Sequence, residues 1–245
     1  MNYPLISDVL SSLVKTPPRV QSSCVDGSPN QHELDTMLRF QEAGFRVLEG
    51  NAPKKDVESK YWPGTSDYLK WQDNDSPLFI PEMSIIRHPF GRFRPTDFAI
   101  RERGSKIHLL ENKSSEDDVG NIHFSASLPH SSIIYLLSDV NKTILLYGNQ
   151  LVSDEEYLLW EEYERNVNAV PKPYSDCVSA WIRICYKIMQ SRCLFEKYGE
   201  LCTQVVLDRL MGIDVESPMI VKNWGTPINM WRLSTKSVDI VYEEV

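Results

Sequence analysis

"RPTDFAIRERGSKIHLLENKSS", residues 94–115, is the stretch on which the reading of this chain turns. Two apolar-leaning runs, "TDFAIRE" (96–102) and "KIHLLEN" (106–112), flank the turn residues "RGS" (103–105). That pattern predicts an antiparallel hairpin. Both runs carry an acid where a buried strand would avoid one. Asp97 opens the first, Glu111 closes the second, and Lys113 follows two places on. Residues two apart on a strand face the same way, so Glu111 and Lys113 project together while Asn112 points opposite. Two carboxylates close in space repel unless a cation neutralises them. Mg2+ suits such a pair, because it takes oxygen ligands and keeps waters for a substrate phosphate. A lysine beside it can hold or help deprotonate an attacking water. The inventory is that of metal-assisted phosphodiester hydrolysis. The plain rival is a solvated hairpin with an ordinary Glu–Lys pair.

Working outward, "QHELDTMLRFQEAGFRV" (31–47) places Leu34, Met37 and Leu38 at helical spacing. It predicts a helix from Gln31 that stops at Gly44, followed by a strand over "FRVLE" (45–49). Further strands are expected over "SIIRH" (84–88), "SSIIYLLS" (131–138) and "KTILLYG" (142–148). Residues 1–30 read as a short helix followed by loop, and 50–83 as an insertion. Three helices are expected after Asp154: "DEEYLLWEEYERNVN" (154–168), "SDCVSAWIRICYKIMQSRCLFEKYG" (175–199) and "ELCTQVVLDRLMG" (200–212), the last two ending at glycine. Trp181, Ile184 and Ile188 read as core of the middle one. The tail reads as short strands and loops. The order predicts an α/β chain with a central mixed β-sheet flanked by helices. Residues 1–245 read as a single domain, its core over about 31–150 and a helical elaboration over about 151–245.

The chain has 245 residues and a net charge of −8, which argues against a general nucleic-acid coat protein. The charge is uneven. Six basic residues lie between Arg87 and Lys106 against two acids, while acids gather in "SSEDD" (114–118) and "SDEEYLLWEEYE" (153–164). A basic patch on an acidic body suits a protein that meets a polyanion at one place. The longest apolar run, Ile133 to Leu137, is too short to span a bilayer. The N-terminus lacks the basic start and apolar core of a signal peptide. Five cysteines without a CxxC pair suggest reduced, buried thiols and no zinc site, hence a cytoplasmic setting. Cys177, Cys185 and Cys193 drift around the expected helix and form no ligand face. His123 and His130 have no partner at metal-ligand spacing, and Glu42 reads as a surface acid. No phosphate-loop pattern is present, so no nucleotide cofactor is expected.

The series Asp97, Glu111-Asn112-Lys113 resembles the PD-(D/E)xK nuclease superfamily, where an Asp ends one strand and (D/E)xK sits on the next. "IIRHPFGRFRPTDFAI" (85–100) resembles the "QPFG…PDF" phrase of many type II restriction endonucleases. "IHFSASLPHSSIIYLL" (122–137) resembles the phrase that follows their catalytic Lys. The chain departs from the pattern at Thr96, at Pro95 one earlier, and at His88, where these enzymes often have Gln. The resemblance covers roughly residues 31–150. It implies a restriction-endonuclease-like core and a Mg2+-dependent endonuclease cutting double-stranded DNA as a homodimer, with no membrane partner. Asp97 and Glu111 would ligate metal, with the carbonyl of Asn112, and Lys113 would orient the attacking water. Glu33 resembles the acid on the helix before the sheet and would be an accessory ligand or water anchor. Arg92, Arg94 and Ser114 would contact DNA. A structure-selective repair nuclease of the same fold, or a non-catalytic acidic interaction protein, are the alternatives.

Overall fold

The computed structural model describes residues 5–20, 31–48, 80–89, 96–104, 107–115, 123–124, 129–152, 158, 162, 180–187, 191–216, 228–233 and 240–244. Helix α1 (Ile6–Lys15) buries Ile6, Val9, Leu10 and Leu13, one stripe at helical spacing. Asp8 caps its start by accepting the Leu5 N–H at 3.0 Å. Helix α2 (Gln31–Glu42) ends as the sequence predicts. Gly44 sits at φ +89°, its N–H donates to Gln41 O, and the Phe45 N–H reaches back to Phe40 O. This is the double bond of a Schellman stop, which glycine enters without a Cβ penalty.

Strands β1 (Arg46–Leu48), β2 (Ser84–Arg87), β3 (Phe98–Arg101), β4 (Ile107–Ser114), β6 (Ile134–Ser138) and β7 (Thr143–Tyr147) form one mixed sheet in the order β1-β2-β3-β4-β6-β7. The class is therefore α/β, as expected. β2, β3 and β4 are an antiparallel meander, and β3–β4 is the predicted hairpin, with Gly104 at φ +68° in its turn. β4 then runs parallel to β6 through a crossover, and β1 runs parallel to β2. A second, antiparallel sheet joins β5 (His123–Phe124), β8 (Ala180–Lys187), β9 (Ile228–Leu233) and β10 (Ile240–Glu244) in the order β10-β9-β8-β5. The sequence reading did not foresee that sheet.

Helix α3 (Ser191–Leu210) corrects the expected C-terminal pattern. The predicted helix over 175–199 is a strand, β8, through its middle. "AWIRICYK" is an apolar run carrying two isoleucines, a tryptophan and a tyrosine, residue types that favour the pleated sheet. Cys185 therefore lies on a strand, and the helical core expected around Trp181 and Ile184 does not form. Gly199 does not stop a helix but lies inside α3. A Cβ there would stand 3.0 Å from Ile144 Cγ2, so the glycine permits close approach to β7. One turn on, Thr203 Oγ1 accepts the Leu145 N–H at 3.0 Å. α3 thus covers the β7 edge of the sheet and gives one of its backbone N–H groups an acceptor. The helix ends as predicted at Gly212, at φ +80°. Of the helix expected over 154–168 only Leu158 and Glu162 are described, both helical and exposed; its other residues and most of the 50–83 insertion lie outside the described residues.

The core draws on α1, α2 and α3. Leu10 and Leu13 of α1, Phe40 of α2 and Val206 of α3 pack with Phe98, Ile100, Leu110, Leu136 and Leu145 of the sheet. Phe40 and Phe45 meet edge-to-face at 5.2 Å. The core is thus wider than the 31–150 segment of the sequence reading. Among the described residues no helix is long and apolar enough to cross a membrane.

Candidate active site

The buried side of α2 is not the apolar stripe that the sequence suggested. Leu38 is exposed, while His32, Glu33, Thr36 and Phe40 are buried. This polar face is wired to the sheet. Asn112 Nδ2 donates to Thr36 Oγ1 at 2.9 Å, and Thr36 Oγ1 donates to the carbonyl of His32. His32 Nε2 meets Ser138 Oγ at 2.8 Å, and Ser138 Oγ meets Thr143 Oγ1 at 2.7 Å. Burial lowers the His32 pKa to about 4, so its ring is neutral at pH 7. Four elements are thereby locked in register by buried polar contacts, which is costly to break.

That register places the acids. Phe98 pairs with Leu110, so Asp97 stands one rung out, beside Glu111. Strand alternation sends Leu110 and Asn112 toward α2 and Glu111 and Lys113 to the opposite face. Ser114, one step beyond Lys113, shares the face of Asn112 rather than that of the acids. Asp97 is fixed by backbone: its N–H donates to Leu110 O at 3.1 Å and its Oδ2 accepts the Asn112 N–H at 2.8 Å. Lys113 Nζ is paired with Glu111 Oε1. Glu111 Oε2 is buried without a hydrogen-bond partner among the described residues.

Glu33 enters from the first turn of α2. Its Oε2 accepts from Arg87 Nε at 2.9 Å and Nη2 at 2.7 Å, and lies 3.3 Å from His88 Nε2. Burial raises the Glu33 pKa, but the hydrogen bond and charge of His88 and those of Arg87 outweigh it, and the net shift is downward. Asp97 goes the other way. Burial, then the charge of Glu111, push its carboxyl well above the usual range, and Lys113 offsets only part of this. A further cation beside it would favour its charged form.

Glu33, His88 and Asp97 each offer an atom within 4.8 Å of the others. The cluster overlaps the expected pair Asp97–Glu111 at Asp97 but brings in His88, which the sequence reading noted only as a departure from Gln. A divalent ion fits the residues present. Glu111 is not a member of that cluster; an ion there would offset the burial and the Glu111 charge that raise the Asp97 pKa. Asn112 commits its Nδ2 to Thr36 and its N–H to Asp97, while its Oδ1 is buried without a hydrogen-bond partner among the described residues.

Arg92 and Arg94 lie outside the described residues. Of the other bases in the expected patch, Arg87 is tied to Glu33 and Arg101 donates to Ile80 O at 3.1 Å. Part of the local positive charge therefore works inside the fold. The chain matches no family model, no curated protein and no solved structure.

Proposed function

We propose that this protein is a Mg2+-dependent endonuclease that hydrolyses phosphodiester bonds of double-stranded DNA at a short sequence. The observation that carries the reading is Asp97, which stands beside Glu111 and Lys113 of its own hairpin and also within reach of Glu33 from α2. The order helix, three-stranded antiparallel meander, crossover and parallel strand supports a restriction-endonuclease-like core, in line with the resemblance of residues 31–150.

A divalent ion held by Asp97 and Glu111 would supply a Lewis acid for the scissile phosphate and charge compensation for the leaving oxygen. The chain's own residues do the rest. Lys113, on the face of Glu111, orients the attacking water and stabilises the charge that develops as it loses its proton. The Asn112 N–H holds Asp97 Oδ2 in place, and the Thr36–Asn112 bond holds that stretch of β4 against α2. Glu33, fixed by Arg87 and His88, sets a negative boundary at the side of the site. Cleavage of both strands of a palindrome calls for two such sites related by a two-fold axis, hence a homodimer.

The test is cleavage of plasmid DNA with Mg2+ by the wild type and by Asp97→Ala, Glu111→Ala and Lys113→Ala. Each substitution is expected to reduce cleavage by at least about 10²-fold while DNA binding persists. Wild-type rates in these variants would show that the chemistry lies elsewhere.

A further inference from the structure

The resemblance accounts for Asp97, Glu111 and Lys113 but not for His88. His88 sits at φ +46°, a left-handed conformation that a non-glycine residue adopts at a cost. Its N–H donates to the Asp97 carbonyl at 2.6 Å, which ties the strained residue to the acid. The two ring nitrogens have different surroundings. Nε2 lies 3.3 Å from Glu33 Oε2, a carboxylate itself gripped by Arg87. Nδ1 is buried, has no hydrogen-bond partner among the described residues, and lies 3.8 Å from Asp97 Oδ1. With Nε2–H donating to Glu33, Nδ1 presents its lone pair toward Asp97.

A carboxylate that accepts the far N–H of an imidazole is the usual way a ligating histidine is oriented. Two atoms that each lie about 2.1 Å from one ion stand about 3.0 Å apart at a right angle and about 4.2 Å apart when opposed. The 3.8 Å between His88 Nδ1 and Asp97 Oδ1 falls inside that range.

We propose that His88 Nδ1 is a direct ligand of a divalent cation shared with Asp97, and that this nitrogen makes the centre prefer Mn2+ to Mg2+. An imidazole donor raises the affinity of first-row transition ions, whereas Mg2+ holds to oxygen and water. The inference rests on the proposed metal-dependent reading only for the presence of a cation; it needs no DNA and no turnover.

The test is titration of the whole protein with MnCl2, followed by electron paramagnetic resonance, with and without competing MgCl2. His88→Asn is the informative variant, because Asn tolerates the left-handed backbone but is too short to replace the ring. Pulsed resonance of the wild type is expected to show coupling of Mn2+ to a 14N nucleus, replaced by 15N coupling when histidine is 15N-labelled. His88→Asn is expected to lose that coupling and at least about tenfold in Mn2+ affinity, with Mg2+ affinity little changed. Absence of histidine nitrogen coupling in the wild type overturns the proposal. So does equal affinity for Mn2+ and Mg2+, or unchanged Mn2+ binding by folded His88→Asn. The first two need no variant, so the proposal stays testable if His88→Asn does not fold. Mn2+ binding with nitrogen coupling but no DNA cleavage would remove the nuclease reading and leave this one standing; Mg2+-supported cleavage without nitrogen coupling would do the reverse.

Discussion

At the scale of single residues, the buried acids of the hairpin carry a built-in conflict at Asp97. Burial and the Glu111 charge raise its pKa, so the folded state prefers the neutral acid. A raised folded pKa contributes stability below the unfolded value and loses it as pH rises through the folded value. At pH 7 without metal, Asp97→Asn, which keeps an acceptor for the Asn112 N–H, is therefore expected to melt above the wild type. The gap should close as pH falls toward the ordinary Asp range. Added Mn2+ or Mg2+ should raise the wild-type Tm and leave Asp97→Asn nearly unmoved, since an ion that binds only the folded state stabilises it by mass action. Differential scanning calorimetry across pH, with and without cation, checks both signs. Asp97, Glu111 and Lys113 were legible in the sequence because strand alternation alone puts the last two on one face. His88 was not. Its participation depends on a left-handed backbone turn and on Glu33 arriving from a helix 55 positions earlier, neither of which a local pattern carries. Arg87 was legible only as a charge, because its partner Glu33 lies across the fold.

At the scale of elements, the hairpin β3–β4 and the Schellman stop of α2 were legible, because turn residues and glycine act locally. β8 was not, since a short apolar run of mixed β-branched and aromatic residues fits a buried helix as well as a strand. α2 was half legible. Its apolar spacing located the helix, yet the face that buries is the polar one, chosen by Asn112 and Ser138 on the sheet. α3 was misread at Gly199 because the glycine serves tertiary contact rather than termination. Two outcomes follow. Thr203→Val should leave the buried Leu145 N–H without an acceptor and cost about 1–3 kcal/mol in a denaturant melt. Gly148→Ala should be worse tolerated, because a Cβ there would come 2.1 Å from the His130 carbonyl oxygen, and backbone on both sides must move. Overpacking of that kind costs about 1–3 kcal/mol or more.

At the scale of the whole molecule, a sheet with helices packed through one apolar cluster holds a polar site at the ends of its central strands. The α/β class was legible from the order of patterns, but the contribution of α1 and α3 to the core was not, because both lie far in sequence from the strands they cover. Leu136→Ala, at the centre of that cluster and fully buried, is expected to lower stability by about 2–5 kcal/mol. It should leave metal affinity of the folded fraction unchanged, as seen by calorimetric titration below the melting range. The most direct measurement of the central claim is incubation of the wild-type protein with a sequenced supercoiled plasmid, with Mg2+ or Mn2+ and with chelator, followed by sequencing of the ends produced. Cation-dependent cleavage into discrete fragments whose ends share one short sequence is expected, abolished by Lys113→Ala. Plasmid that stays supercoiled at every cation and protein concentration would contradict it.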